Sequence, residues 1–116
     1  MSVYNLTKNY QIPYRVIKAK SIIGRLRGLL GTSKPYEEKV LYICPCSGIH
    51  TFGMQYPIDA VFMDKNKTVS RIFLSLKPNK ITKINRFDKA VLEFPAGSAL
   101  KFSIQIGDKL SIKCDE

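Results

Sequence analysis

Residues 58–76 read Ile-Asp-Ala-Val-Phe-Met-Asp-Lys-Asn-Lys-Thr-Val-Ser-Arg-Ile-Phe-Leu-Ser-Leu, which is two apolar runs separated by five polar residues. Each run, 58–63 and 69–76, has the length of a β-strand, and the polar residues 64–67 are typical of a turn. The pattern predicts an antiparallel hairpin. In the first run the side chains of both faces are apolar apart from Asp59, so this strand is predicted to be buried on both sides.

Shorter runs on either side of the hairpin extend the pattern. We expect further strands at residues 11–17, 40–43, 90–94 and 109–113, and short helices at 21–30 and 98–104. Many short strands with frequent turns and only one or two brief helices are typical of a mainly β fold, a compact sandwich or barrel. Residues 1–116 are too few for two cores, so they should form a single domain.

The composition indicates an ordinary globular protein, with 45% hydrophobic and 24% charged residues. No apolar run approaches the roughly 20 residues that span a bilayer, and the first residues lack the apolar segment of a signal peptide. The three cysteines are an odd number and suggest no disulfide framework. We therefore expect a cytoplasmic protein without a membrane span.

Two carboxylates lie inside predicted strands, Asp59 in the first run of the hairpin and Glu93 in the run 90–94. A buried carboxylate needs a partner or must become neutral, because an unpaired interior charge costs several kcal/mol. Asp59 therefore has a partner, a proton or a ligand. It could equally order the backbone of a neighbouring turn, and either carboxylate could be tied to an arginine. If the two met, they could serve as an acid and a base.

Cys44, Cys46 and His50 have the spacing C-x-C-x3-H. Thiolates and imidazole suit Zn²⁺ or Cu⁺ if a fourth ligand such as Cys114 or Asp59 converges on them. A thiolate next to His50 could also act as a nucleophile, with Asp59 orienting the imidazole. Thiols that merely fill space beside a turn are the simpler interpretation, and we predict no metal site.

The charge is strongly basic, with 19 Lys and Arg against 9 Asp and Glu, a net +10. Such a surface attracts anions, including nucleic acid and acidic lipid. Between residues 77 and 89 a basic residue recurs at every third position, as Lys77, Lys80, Lys83, Arg86 and Lys89. This period matches neither a helix face nor a strand face, so the run is either a nucleic-acid surface or simply a solvated one.

Three motifs resemble a family of small bacterial and archaeal proteins, domain of unknown function (DUF) 192, over about residues 19–112. They are RLRGLLG at 25–31, PCSGIHTFGM at 45–54 followed by Pro57-Ile58-Asp59, and VLEFPAG at 91–97 followed by Gly107-Asp108. The His-Thr-Phe-Gly-Met version of the second motif is similar to one subgroup, where other members resemble Met-Lys-Asn-Thr. The resemblance implies a jelly-roll-like β sandwich and brings no established activity or cofactor.

The motifs contain His50 and the two carboxylates that lie inside predicted strands, Asp59 and Glu93. This coincidence predicts one site near residues 50–59. We expect it to bind a small polar or anionic ligand, or a protein partner, rather than to catalyse a reaction. A hydrolase or transferase that uses His50 with Asp59 or Cys46 is the main rival, and a nucleic-acid-binding domain is another. The residues predicted to line the site are His50, Thr51, Asp59, Arg25, Arg27 and Glu93.

Overall fold

A computed structural model describes residues 1–19 and 38–113, which form eight strands and one short helix. The elements in chain order are β1 Ser2–Asn5, β2 Tyr10–Ile12, β3 Arg15–Ala19, β4 Lys39–Ile43, β5 Ile58–Met63, β6 Val69–Leu76, β7 Ala90–Pro95, α1 Ser98–Lys101 and β8 Leu110–Lys113. The mainly β prediction is confirmed. The predicted helix at 21–30 lies outside the described residues, and the one at 98–104 is shorter than expected.

The strands form two sheets, one of three strands in the order β2-β1-β8 and one of five in the order β3-β4-β7-β5-β6. β5 and β6 pair antiparallel, so the predicted hairpin is confirmed. β7 pairs antiparallel with the other side of β5, which places β5 inside the larger sheet. The described residues thus form a sandwich-like fold without a closed barrel.

Pro13 divides the strand predicted at 11–17. A proline lacks the N–H that would continue a ladder. β2 ends at Ile12 as the edge of the smaller sheet, and β3 begins at Arg15 as the edge of the larger one, parallel to β4. One or two outer strands were predicted here, and the stretch 11–17 that was read as one strand is two edge strands on either side of Pro13.

The five-stranded sheet is buried on both faces. One face packs on the smaller sheet through residues such as Val61, Leu92 and Phe94, together with Val3 and Leu110. The opposite face carries a second apolar cluster: Leu41, Ile43, Ile49, Met54, Ile58, Ala60, Phe62 and Val91. Because Ile49 and Met54 belong to this cluster, the motif at 45–54 packs over the second face of the sheet.

Within the described ranges, no helix has both the length and the apolar character needed to cross a membrane.

Candidate functional site

The motif segment, residues 45–54, lies beside the basic segment, residues 77–89. Thr51 donates its N–H to the Lys80 carbonyl at 2.8 Å, and Thr82 donates to the Ile49 carbonyl at 2.9 Å. Asn85 continues the pairing by donating to the Ser47 carbonyl at 3.1 Å. Residues 47–51 and 80–85 therefore form an antiparallel pair, and the two surfaces that the sequence suggested separately are one surface in the structure.

Two motif residues hold this pair together. The buried Thr51 hydroxyl donates to the Lys77 carbonyl at 2.7 Å and accepts the Lys80 N–H at 2.8 Å. Gly48 allows a close approach of the two segments, because a Cβ there would lie 3.0 Å from Ile84 Cγ1. Thr51 was predicted to line a ligand site, and in the structure its hydroxyl fixes the turn of residues 77–80.

Residues 80–88 present three rows of side chains with a period of three. One row faces the protein and carries Thr82, Asn85 and Asp88. A second row is exposed and apolar, and we call it the ridge: Ile81, Ile84 and Phe87. The third row is exposed and basic, and with the residues at either end it is called the cationic row: Lys77, Lys80, Lys83, Arg86 and Lys89. The basic period seen in the sequence thus corresponds to exposed positions that alternate with the inward-facing ones.

A groove of about 230 Å³ runs between the paired segments, with His50 and Phe52 on one side and Ile81, Thr82 and Ile84 on the other. The His50 and Phe52 rings lie 4.8 Å apart between centroids. His50 Nδ1 accepts the Phe52 N–H at 3.3 Å, which places the proton of a neutral imidazole on Nε2. The groove therefore combines apolar walls with the imidazole of His50.

Arg71 of β6 fastens the ridge segment to the sheet. Its Nε donates to the buried Asp88 carboxylate at 2.7 Å, and Nη1 donates to the Lys83 carbonyl at 2.9 Å. Its guanidinium also lies 4.3 Å from the centroid of the Phe62 ring. Asp88 is the single acidic residue of segment 77–89, and this pairing neutralises it inside the protein.

Asp59 holds three backbone N–H groups. Oδ1 accepts from Ser75 at 2.8 Å, and Oδ2 accepts from Gly97 at 3.1 Å and from Ala99 at 2.9 Å. Gly97 has φ +93°, a conformation that favours glycine, and it turns the chain into α1. Asp59 is fully buried, so its carboxylate ties the end of β6 and the start of α1 to the centre of the sheet. This matches the interpretation in which Asp59 orders neighbouring turns.

Glu93 and Asp59 lie on opposite faces of the sheet. In the register of β5 with β7, Asp59 is opposite Phe94 and Ala60 is opposite Glu93. Since side chains opposite one another share a face, Glu93 points to the side covered by the motif segment. The structure therefore does not bring the two carboxylates together as an acid–base pair. Arg25 and Arg27 lie outside the described residues.

The environment of Cys46 opposes nucleophilic chemistry. Burial raises the pKa of its thiol, and the nearby charge of Glu93 adds to this effect. The thiol donates to the Gly48 carbonyl at 3.2 Å. The hydrogen bonds of Asp59 go to backbone groups, so its carboxylate does not orient His50.

Among residues 1–19 and 38–113, no three His, Cys, Asp or Glu side chains are grouped so that they could hold a metal ion, and Cys114 lies outside these ranges.

The ridge is the part of the site that the sequence analysis missed. The signal was present, because Ile81, Ile84 and Phe87 each follow a basic residue at the same interval. It could not be interpreted without knowing that Thr82 and Asp88 face inward.

Known proteins resemble the chain over half of its length or more. A UPF0127 protein of Pyrococcus furiosus is 29% identical over 111 residues, which cover 91% of this chain and 93% of that protein. A UPF0127 protein of Pyrococcus abyssi is 36% identical over 62 residues, or 53% of this chain and 52% of that one. A crystal structure of a protein of unknown function from Novosphingobium aromaticivorans superposes with a TM-score of 0.76 at 20% identity, covering 96% of this chain and 82% of that one, and shows the same fold. The model of the family DUF192, described as Uncharacterized ACR, COG1430, matches residues 4–112, and the chain therefore belongs to this family.

Proposed function

We propose that this protein is a binding protein and that its ligand occupies the groove beside His50. The ligand is a small molecule, or a segment of a protein partner, that combines negative charge with an apolar part. The same proposal places this binding in the cytoplasm, on the sequence arguments given above.

One observation carries the proposal: an apolar groove opens directly beside a row of exposed cations. Phe52, Ile81 and Ile84 are all exposed at the groove, with 48%, 70% and 74% of their surfaces accessible. Contiguous exposed apolar surface rimmed by polar residues is typical of a binding site. No residue of segment 47–53 is acidic, so the charges around the groove favour an anion.

Anilinonaphthalene sulfonate is a suitable probe because it joins an anionic group to an aromatic body, and its fluorescence rises when it is bound. Ile81→Ser should weaken its binding about tenfold, since burying one aliphatic side chain contributes roughly 1.5–3 kcal/mol. Leu100→Ser is the matched control, because Leu100 is 76% exposed on α1. Equal affinities for the parent and Ile81→Ser, with both folded by circular dichroism, would contradict the proposal.

A second candidate function is binding of single-stranded nucleic acid along the cationic row. The favouring observation is that the Arg86 guanidinium lies 5.6 Å from the centroid of the exposed Phe87 ring. Aromatic rings beside cations are platforms on which bases stack. Anisotropy of a labelled single-stranded RNA should fall steeply with salt and be reduced in Lys83→Glu. Binding that stays flat as salt rises would contradict this function, because phosphate contacts depend on salt.

A further inference from the structure

We propose that the ridge and the cationic row dock this protein on an anionic lipid bilayer. The apolar side chains would enter the headgroup region, and the lysines would contact the lipid phosphates. The inference rests on the proposed function, because it names the anion with an apolar part as a membrane lipid.

The chemistry of the ridge favours a bilayer over the other anionic partners. Ile81 and Ile84 are aliphatic and offer no ring on which a base can stack, so two of the three ridge residues do not serve the stacking mode of single-strand binding. All three would contribute in a bilayer, because the transfer of isoleucine and phenylalanine side chains out of water is favourable in free energy. The ridge residues are exposed to similar degrees, 70%, 74% and 69% for Ile81, Ile84 and Phe87, so each offers most of its side chain to a bilayer.

The charges beside the ridge complement an anionic surface. Lys80, Lys83 and Arg86 each directly precede a ridge residue, so a cation accompanies every apolar side chain along the segment. Asp88, the one acid in this segment, is buried against Arg71 and shows no carboxylate to the surface. The same charges oppose a second copy of this chain as the occupant, because two cationic rows would repel.

The segment is also held firmly enough to act as a docking element. The bonds of Thr51 and the pairing of residues 47–51 with 80–85 hold its backbone on one side, and the Arg71–Asp88 ion pair ties it to β6. A ridge held in place does not have to be ordered when it binds, which removes part of the entropic cost of association.

Co-sedimentation with vesicles tests the inference. The full chain should sediment with vesicles of equal parts phosphatidylcholine and phosphatidylglycerol but not with vesicles of phosphatidylcholine alone. Ile84→Ser should lower the partition coefficient about tenfold, since it removes one inserted side chain. Lys83→Glu should lower it at least fivefold, because each cation near an anionic surface contributes about 1 kcal/mol and the substitution also reverses the charge. Leu100→Ser and Lys109→Glu, which change exposed residues outside the segment, should bind like the parent.

Several results would overturn it. Equal binding to both kinds of vesicle, or equal losses in Ile84→Ser and Leu100→Ser, would contradict docking by this surface. A dimer that dissociates in Ile84→Ser would identify a second copy as the occupant. Binding of single-stranded RNA that needs Lys83 but not Ile84, without vesicle binding, would favour nucleic acid. If anilinonaphthalene sulfonate binds at the groove while vesicles do not, the lipid inference fails and the proposed function stands; if neither binds, both fail.

Discussion

Replacing Asp59 by asparagine should cost about 4 kcal/mol of unfolding free energy. The carboxylate accepts three backbone N–H groups, and the asparagine oxygen can replace only one of its two oxygens. If that oxygen keeps the Gly97 and Ala99 bonds, the amide NH2 meets the Ser75 N–H, and two donors then face each other. Hydrogen bonds to a charged group contribute about 1.5–3 kcal/mol and neutral ones about 0.5–1.5, so each kept bond loses about 1 kcal/mol and the third loses about 2.

Urea denaturation at neutral pH measures this loss, with unchanged m-values to show that the unfolding reaction is the same. Asp64→Asn is the matched control. Asp64 also accepts two backbone N–H groups, from Asn66 and Thr68, but both bonds go to Oδ1, which an asparagine oxygen can replace. At about 1 kcal/mol for each of the two kept bonds, the control should lose no more than about 2 kcal/mol, half of the loss expected at Asp59. If Asp59→Asn lost no more than the control, the carboxylate would not be holding the β6 and α1 backbones, and a role in ligand binding would regain support.

Three further predictions concern titrating groups. Burial alone would raise the pKa of Asp108, but hydrogen bonds from Lys8, Asn5 and the Gln105 N–H outweigh it and lower the pKa below 3.8. At neutral pH the parent should therefore be more stable to urea than Asp108→Asn by roughly 2 kcal/mol, and this difference should disappear as the pH falls below about 4. A difference that does not depend on pH would contradict the assignment. Burial, followed by its hydrogen bond with Cys44, raises the pKa of Tyr42 to about 12, so its contribution to stability is complete below pH 10 and is lost as the pH rises towards 12. The part of the phenolate absorbance titration near pH 12 should therefore be smaller in Tyr42→Phe than in the parent. Because burial raises the pKa of Cys46, iodoacetamide should alkylate it more slowly at neutral pH than a free thiol in urea, as measured by mass spectrometry of the peptide that contains it, and equal rates would show an activated thiolate.

The sequence predicted the strands of the larger sheet well, because their signal is local. The hairpin at 58–76 needed only two apolar runs and a polar turn, and the structure pairs them as β5 and β6. Position 13 shows where this reasoning stops. A proline at an edge can belong to one strand or separate two, and the choice depends on which sheet each flanking piece joins.

The candidate site was less predictable because its contacts are distant in the sequence. The argument that Asp59 needs a partner was correct, yet its partners lie 16, 38 and 40 residues away and are backbone groups that carry no sequence signal. The faces of Asp59 and Glu93 depended on the register of β5 with β7, which two isolated strands do not reveal. The three-residue period of the basic segment was visible, but it matches neither the period of a helix nor that of a strand, so it could not be assigned to a face.

The motif at 48–54 contains buried residues that the fold requires and an exposed residue that is available for binding. Ile49, Thr51 and Met54 are buried, and Gly48 allows the close approach of Ile84, so substituting any of these should lower stability. Phe52, Ile81 and Ile84 expose large apolar surfaces to water, an arrangement that gives up the stabilisation which burial would bring. A fold that only needed to be stable would do as well with polar residues at these three positions. Substitutions there should therefore leave the unfolding free energy within about 0.5 kcal/mol of the parent while binding is lost, and this separation is what distinguishes a binding surface from a structural one.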